Sequence, residues 1–342
     1  MPDVQRPTTA AEPWTTRRLL AWMQEAFGKH GIDSPRLCAE ILIGQVLGVQ
    51  RLKLYMDPDR PASSEELTRL RALVGRALKH EPVQYLVGEA WFYGLPFTVD
   101  RRVLIPRPCT EGIVEHVVAK LRPRRAEPVE TTESIGQDVV GVQAGEPGDA
   151  TAAKPAVAAV NVATSPAVPP LVIADVCTGS GCIAVALARN LSNARVIATD
   201  VSNEALAVAG ENAVRHGVAE RLEFRCGDLL SPLSDLAGSL DALVANPPYI
   251  PDYEWNEVAA NVKDFEPTGA LRAGADGLQF VAPIINLAPA FLRPRGILIV
   301  EIAASTADAA LALAAEHPQL SAASLIKDLE GHRRFITAHR RE

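Results

Sequence analysis

Apolar positions in the first 80 residues recur at helical spacing. Leu19, Trp22, Met23, Ala26 and Phe27 follow one face before the stop signal His30-Gly31. Ser34 followed by Pro35 predicts an N-cap and a first helical residue, because the N–H that proline lacks has no partner at a helix start anyway; this helix runs to about Gly48. Ser63 with Glu66 three residues on has the form of a capping box, and Leu67, Leu70, Val74, Ala77 and Leu78 line the face that follows. The pattern therefore predicts three short helices in a small helical domain over residues 14–80. From Pro82 to Ile105 the runs turn short, aromatic and branched, with Gly88, Gly94 and Pro96 as punctuation, which suits a β-hairpin linker over 81–105. Ile113, Val114, Val117, Val118 and Leu121 restore a helical stripe early in a third region, 106–342.

From Leu171 short apolar strands alternate with helices. Strands are predicted near 171–175, 194–199, 221–226, 240–245 and 296–302, with helices near 181–190, 202–216 and 277–292. Weaker runs at 322–327 and 333–338, with Gly331 between them, would close the sheet. This alternation predicts an α/β domain with a mostly parallel sheet covered on both faces. Residues 123–169 interrupt it. They are rich in Ala, Val, Pro, Gly and Thr without stable periodicity and read as a flexible insertion.

Composition narrows the function. The 342 residues are 48% apolar, enough for a substantial core, and Lys and Arg number 34 against 41 Asp and Glu. A formal charge of -7 opposes nonspecific holding of a phosphate backbone and favours a protein or small-molecule substrate. Cys38, Cys109, Cys177, Cys182 and Cys226 match no common zinc or redox spacing, so no metal site is expected. No signal-peptide succession or membrane-length apolar run is present, which leaves a cytoplasmic protein as the expectation.

The chemistry gathers at two places. Leu171–Asp175 ends as a strand, the small residues of Thr178-Gly179-Ser180-Gly181 make a turn, and a helix begins at Cys182, so backbone N–H groups can approach a ligand closely. Gly179, Gly181 and Ala184 also satisfy the loose dinucleotide pattern, so a nicotinamide enzyme fits the turn taken alone. Asp200, at the end of the second strand, can accept both hydroxyls of a ribose diol, or else cap the helix near Ser202. Asp228 after the third strand suits the adenine end of a ligand, or is an ordinary loop acid. Two such acids with no phosphate-binding basic residue nearby describe a nucleoside without a diphosphate, and S-adenosylmethionine is one. The second place is Asn246-Pro247-Pro248-Tyr249. The residue before a proline stays extended, which aims the Asn246 amide into the crevice. An amide nitrogen is a poor nucleophile because its lone pair is delocalised. Asn246 Oδ1 and the Pro247 carbonyl could hold both its hydrogens, with Tyr249 stacked on its plane.

These motifs resemble the bacterial and organellar release factor glutamine methyltransferases. The matching stretches are Glu81-Pro-Val-Gln-Tyr85-Leu-Val-Gly88, Phe92-Tyr-Gly94-Leu-Pro-Phe97, Leu104-Ile-Pro-Arg-Pro-Cys-Thr-Glu111, Asp175-Val-Cys-Thr-Gly-Ser-Gly181, Asn246-Pro-Pro-Tyr249, Phe265-Glu-Pro267 with Ala270-Leu271, and Gly274-Ala-Asp-Gly-Leu278. The resemblance implies a seven-stranded class I, Rossmann-like methyltransferase sheet whose last strand is antiparallel, with a helical N-terminal domain that helps engage the release factor. It implies S-adenosylmethionine as cofactor, held by Cys177 to Gly181, with Asp200 on the ribose and Leu229 beside the adenine. Asn246 would contact cofactor and substrate, and Pro247, Pro248 and Tyr249 would complete a pocket for the glutamine of the Gly-Gly-Gln loop. A monomer with no membrane or nucleic-acid requirement is expected. Four positions depart from the family: Cys177 stands for a usual glycine, Cys109 for a common glutamate, Leu229 for an aromatic seen in some members, and Glu301-Ile-Ala-Ala lacks a following glycine.

Two other readings fit the acceptor motif less well. A DNA adenine N6-methyltransferase faces the same conjugated NH₂, but the acidic balance and the lack of a basic, aromatic target-recognition region argue against it. A nonenzymatic translation-associated binding module would show no methyl transfer. The insertion gives the first testable consequence. Deleting residues 126–166 should keep catalytic efficiency within about tenfold, roughly 1.4 kcal/mol, in a methyl-transfer assay; a larger loss would make the stretch part of the working structure.

Overall fold

Five helices precede the first strand: α1 Thr16–Lys29, α2 Pro35–Leu47, α3 Arg51–Met56, α4 Ser64–Ala77 and α5 Val83–Val87. The computed structural model describes residues 13–122 and 169–342, so the expected insertion at 123–169 lies, but for its last residue, outside the described residues. The capping box forms as predicted, with Glu66 N donating to Ser63 Oγ and Ser63 N donating to the Glu66 carboxylate. Ser34 behaves differently. It precedes Pro35, but its backbone is left-handed at φ 49° and its side chain makes no capping bond. A capping hydroxyl reaches the first helical N–H groups from an extended backbone, which Ser34 does not have. Helices α3 and α5 were not foreseen because six and five residues are too few to print a helical period. Leu19, Met23, Phe27, Leu42, Ile43, Leu54, Leu70 and Val74 make the shared core of these helices.

The hairpin β1 Glu89–Phe92 and β2 Leu95–Thr98 follows, then α6 Glu111–Leu121. Beyond the undescribed stretch come β3 Leu171–Val176, α7 Cys182–Asn190, β4 Ala194–Asp200, α8 Asn203–Arg215, β5 Leu222–Cys226 and β6 Leu240–Ala245. The chain ends with α9 Ala260–Lys263, α10 Val281–Phe291, β7 Leu292–Glu301, α11 Ala307–Glu316, β8 Leu320–Lys327 and β9 Arg333–Arg340. The seven-stranded sheet has the order β5-β4-β3-β6-β7-β9-β8, with β9 antiparallel to both neighbours. Helix α11 was also missed. Its buried face is Ala307, Ala310 and Ala314, too small to contrast with the alanines around it.

Alternate residues of the central strands feed two cores. Ile173, Ala242, Val244, Ile297 and Ile299 face α6 and α7, whereas Ala174, Val176, Leu243, Leu298 and Val300 face α10 and α11. Burial on both sides explains the unbroken apolar runs. Phe92 and Phe97 of the hairpin pack into the first of these cores, and a buried amide adds a polar tie. Asn212 of α8 is fully buried; its Oδ1 accepts from Thr98 N at 2.7 Å, and its Nδ2 donates to Thr98 O at 3.0 Å and Ser180 O at 2.9 Å. The hairpin, α8 and the turn after β3 therefore share one side chain. Asn212→Leu leaves those backbone groups without partners, at about 1–3 kcal/mol for a buried group. We expect a loss on the order of 3 kcal/mol in chemical denaturation, and a loss below about 1 kcal/mol would count against the clamp.

Candidate functional site

A cavity of about 490 Å³ opens where β3 and β6 lie side by side, at the carboxyl ends of the parallel strands. Its walls include Cys177, Thr178, Gly179 and Ser180 after β3, Asp200 at the end of β4, Asp228 and Leu229 after β5, and Asn246 and Pro248 after β6. Of the residues singled out in the sequence, Gly181, Pro247 and Tyr249 are not brought to this wall.

The turn after β3 is built on buried acids and tight backbone. Asp175, wholly buried, accepts from Thr178 Oγ1 at 2.6 Å and Ala184 N at 3.1 Å. Burial pushes its carboxyl up to about 7, against the opposing pull of those two donors. Gly179 N donates to Asp200 Oδ2 at 2.9 Å, and a Cβ on Gly179 would meet nothing within 4 Å. Gly181 has another task. Its φ is +77°, and a Cβ there would come 2.9 Å from the Ala209 Cβ, so this glycine lets α7 and α8 approach.

Asp200 is not the cap of α8, one of the two roles that its sequence position allowed. Its carboxylate accepts from Gly179 N and, through Oδ1, from Ser202 N at 2.9 Å, while the cap of α8 itself is Ser202, whose Oγ accepts from Ala205 N. Each carboxylate oxygen keeps further lone-pair capacity toward the cavity. Cys177 and Leu229 both have left-handed backbones, at φ 60° and 46°. Non-glycine residues held there are strained, and both line the cavity.

On the acceptor side, Asn246-Pro247-Pro248-Tyr249 leaves β6 without helix or turn, and Ile250 is locked to a neighbouring segment: Ile250 N donates to Leu271 O and Ala273 N to Ile250 O. Asn246 Nδ2 lies 3.4 Å from Thr110 Oγ1. Tyr249 sends its hydroxyl to Glu301 Oε1 at 3.1 Å instead of standing on the cavity wall, so the expected stack on an acceptor is not its arrangement here. A buried phenol needs an acceptor, and the carboxyl at the end of β7 supplies one. Glu301 is itself fully buried, and burial pushes it up to about 7.

The sequence reading missed the share that residues 101–110 have in the site. Arg101, Arg102, Arg107 and Thr110 all line the cavity, which corrects the expectation that no basic residue lies near the two acids. Each arginine is paired: Arg101 with Glu81 at 3.0 Å, Arg102 with Asp100 at 2.6 Å, and Arg107 with the buried Glu266, which also accepts from Ile105 N. Their charge is therefore already countered. Glu301 was within reach of the same reasoning that selected Asp200, since it too ends a strand at this edge.

The chain matches the family model described as PrmC N-terminal domain over residues 18–88 and that described as Methyltransferase domain over 173–265. It is 41% identical to the release factor glutamine methyltransferase of Chlorobaculum tepidum, over 86% of this chain and 87% of that one. Identity to the protein of that name from Geobacter sulfurreducens is 37%, over 90% of each chain. With the one from Rhodopirellula baltica it is 33%, over 96% of this chain and 98% of that one.

The strained wall of the cavity is open to measurement. A left-handed backbone costs a residue with a Cβ about 1–2 kcal/mol, whereas glycine ordinarily trails alanine by about 0.5–1 kcal/mol. At Cys177 the order should reverse, with Cys177→Gly more stable than Cys177→Ala by roughly 1 kcal/mol in urea unfolding. The usual order, alanine above glycine, would remove strain from this loop.

Proposed function

The chain belongs to the release factor glutamine methyltransferase family, and on that premise we propose that it methylates the amide nitrogen of the glutamine in the Gly-Gly-Gln loop of class I release factors. The observation that carries the reading is the meeting of a nucleoside-sized cavity with the Asn246 amide at one strand edge. S-adenosylmethionine suits that cavity. Asp200 offers acceptors for ribose hydroxyls, Gly179 leaves room for close approach, and the three nearby arginines, already held by carboxylates, do not call for a diphosphate. Cys177 to Ser180 would border the methionine part, and Asp228 and Leu229 the adenine end. When bound, this cofactor supplies a methyl group already activated on sulfur.

What the protein must add is orientation. Asn246 Oδ1, on the cavity wall, accepts an N–H of the substrate amide, which orients it and directs its electron density along the line of transfer. The surplus proton leaves after the new N–C bond forms, so no early general base is needed. Pro248, on the cavity wall, bounds the acceptor, and Tyr249 supports the segment through Glu301. The reading carries a monomer that acts in the cytoplasm on a protein, without a nucleic-acid requirement. The excess of 41 acids over 34 Lys and Arg is in keeping with that.

Labelled S-adenosylmethionine, purified release factor and peptide mapping test the proposal. Label is expected on the Gly-Gly-Gln glutamine, and label elsewhere or none rejects it. Asn246→Ala should slow single turnover by roughly 10²-fold at saturating cofactor and release factor, comparable to the loss of one preorganised contact. A normal chemical step with only a raised release-factor requirement would make Asn246 a docking residue.

A further inference from the structure

We propose that Glu266 sets the charge preference of the cavity: by cancelling Arg107 it keeps the cavity open to a nucleoside that carries a positive charge, and so decides how that nucleoside ranks against its uncharged counterpart. The inference deepens the reading above, in which the nucleoside is S-adenosylmethionine, and rests on it. That molecule has a sulfonium, an ammonium and a carboxylate, and so one net positive charge. S-adenosylhomocysteine, left after methyl transfer, has nearly the same shape and hydrogen-bonding groups but a neutral sulfur. Charge is therefore what tells the two apart.

Three arginines on one wall would repel such a cation if nothing countered them. Arg101, Arg102 and Arg107 all reach the cavity. Arg101 meets Glu81 with its side chain 61% exposed, so solvent already screens much of its charge. Arg107 stands differently. Its side chain is only 30% exposed, and its guanidinium donates to Glu266 Oε1, in a carboxylate that is wholly buried. Glu266 Oε2 accepts from Ile105 N at 3.0 Å, so the acid is held by both oxygens. An uncancelled cation so placed acts strongly, because two unit charges about 10 Å apart shift an equilibrium on the order of tenfold at the effective dielectric of a protein. The carboxylates of Asp200, Glu204 and Asp228 stand on the same wall. With each arginine matched by an acid, these leave the wall acidic, which suits a cation.

Glu266 has a second duty that must be kept apart from the first. It binds Ile105 and Arg107 on one side, and the residues that follow it, Pro267, Gly269 and Ala270, line the cavity on the other. It is thus also a brace between two stretches of wall. Losing a brace would loosen both nucleosides alike, whereas freeing the Arg107 charge penalises the cation alone. The ratio of the two affinities isolates the charge.

Calorimetry on the full chain with S-adenosylmethionine and with S-adenosylhomocysteine, at low ionic strength, reads that ratio. Glu266→Gln keeps an acceptor for Ile105 N but not the charge, and should lower the affinity for S-adenosylmethionine at least about fivefold more than that for S-adenosylhomocysteine. Glu266→Asp keeps the charge on a shorter side chain and should hold the ratio within about twofold of the wild type, whatever both affinities lose. The double variant Arg107→Gln/Glu266→Gln removes both charges and should bring the ratio back to within about twofold. An unmoved ratio in Glu266→Gln overturns the inference. So does a shifted ratio in Glu266→Asp, or one that persists in the double variant. Should Glu266→Gln not fold, Asp100→Asn strips Arg102 of its carboxylate at a more open position and should move the ratio about threefold in the same direction; no movement overturns the inference. A wild type that binds neither nucleoside overturns the functional reading and this inference with it, whereas binding of both with an unmoved ratio in Glu266→Gln overturns the inference alone.

Discussion

The site depends on one topological constraint: strand order reverses between β3 and β6. The helix after β3 packs on one face of the sheet with α6, and the helix before β7 packs on the other with α11. Chains leaving the two adjacent strands must therefore diverge, and a crevice opens between them. Register then fixes its content. Val176 pairs with Ala245, so Cys177 and Asn246 emerge at the same level on either side of the gap. The turn after β3 and the Asn246 amide become neighbours although about 70 residues separate them in the chain.

Features written as repeated burial were legible in the sequence. Strands buried on both faces print unbroken apolar runs, and the capping box of α4 needs only Ser63 and Glu66 at a fixed offset. Short or featureless elements were not. Helices α3 and α5 span less than two turns, and α11 buries only alanines. The site divides in the same way. Cys177 to Ser180, Asp200, Asp228, Leu229, Asn246 and Pro248 reach the cavity because each lies at or just beyond a strand end. Gly181 does not, since its missing Cβ serves the contact with Ala209, and two glycines of one motif cannot be told apart by spacing alone. Arg101, Arg102, Arg107 and Thr110 were invisible for a further reason: they come from about 60 to 70 residues before β3 and are adjacent to it only in three dimensions.

Charge and amide bonds tie that linker down. Glu81, at its start, holds Arg76 of α4 and Arg101, and Glu266 holds Arg107 and the Ile105 N–H. Asn212 fastens the hairpin to α8 and, through Ser180, to the turn after β3. The segment that joins the helical part to the sheet is thus part of the cavity wall.

Both buried acids at this edge, Asp175 and Glu301, are destabilised as anions by burial, and neither reaches the cavity wall directly. That placement suits a reaction that begins with a positive sulfonium and a neutral amide. A carboxylate facing the sulfonium would stabilise the reactants most, because the cofactor's positive charge is discharged as the methyl group moves, and favouring the ground state raises the barrier. Set one side chain back, an acid still dictates hydrogen-bond direction without offering the cofactor a close counter-ion. Thr178, on the cavity wall, stands in this way in front of Asp175, to which its hydroxyl donates. The buried acid braces the turn after β3 from behind a hydroxyl and leaves the cavity to neutral groups at that point.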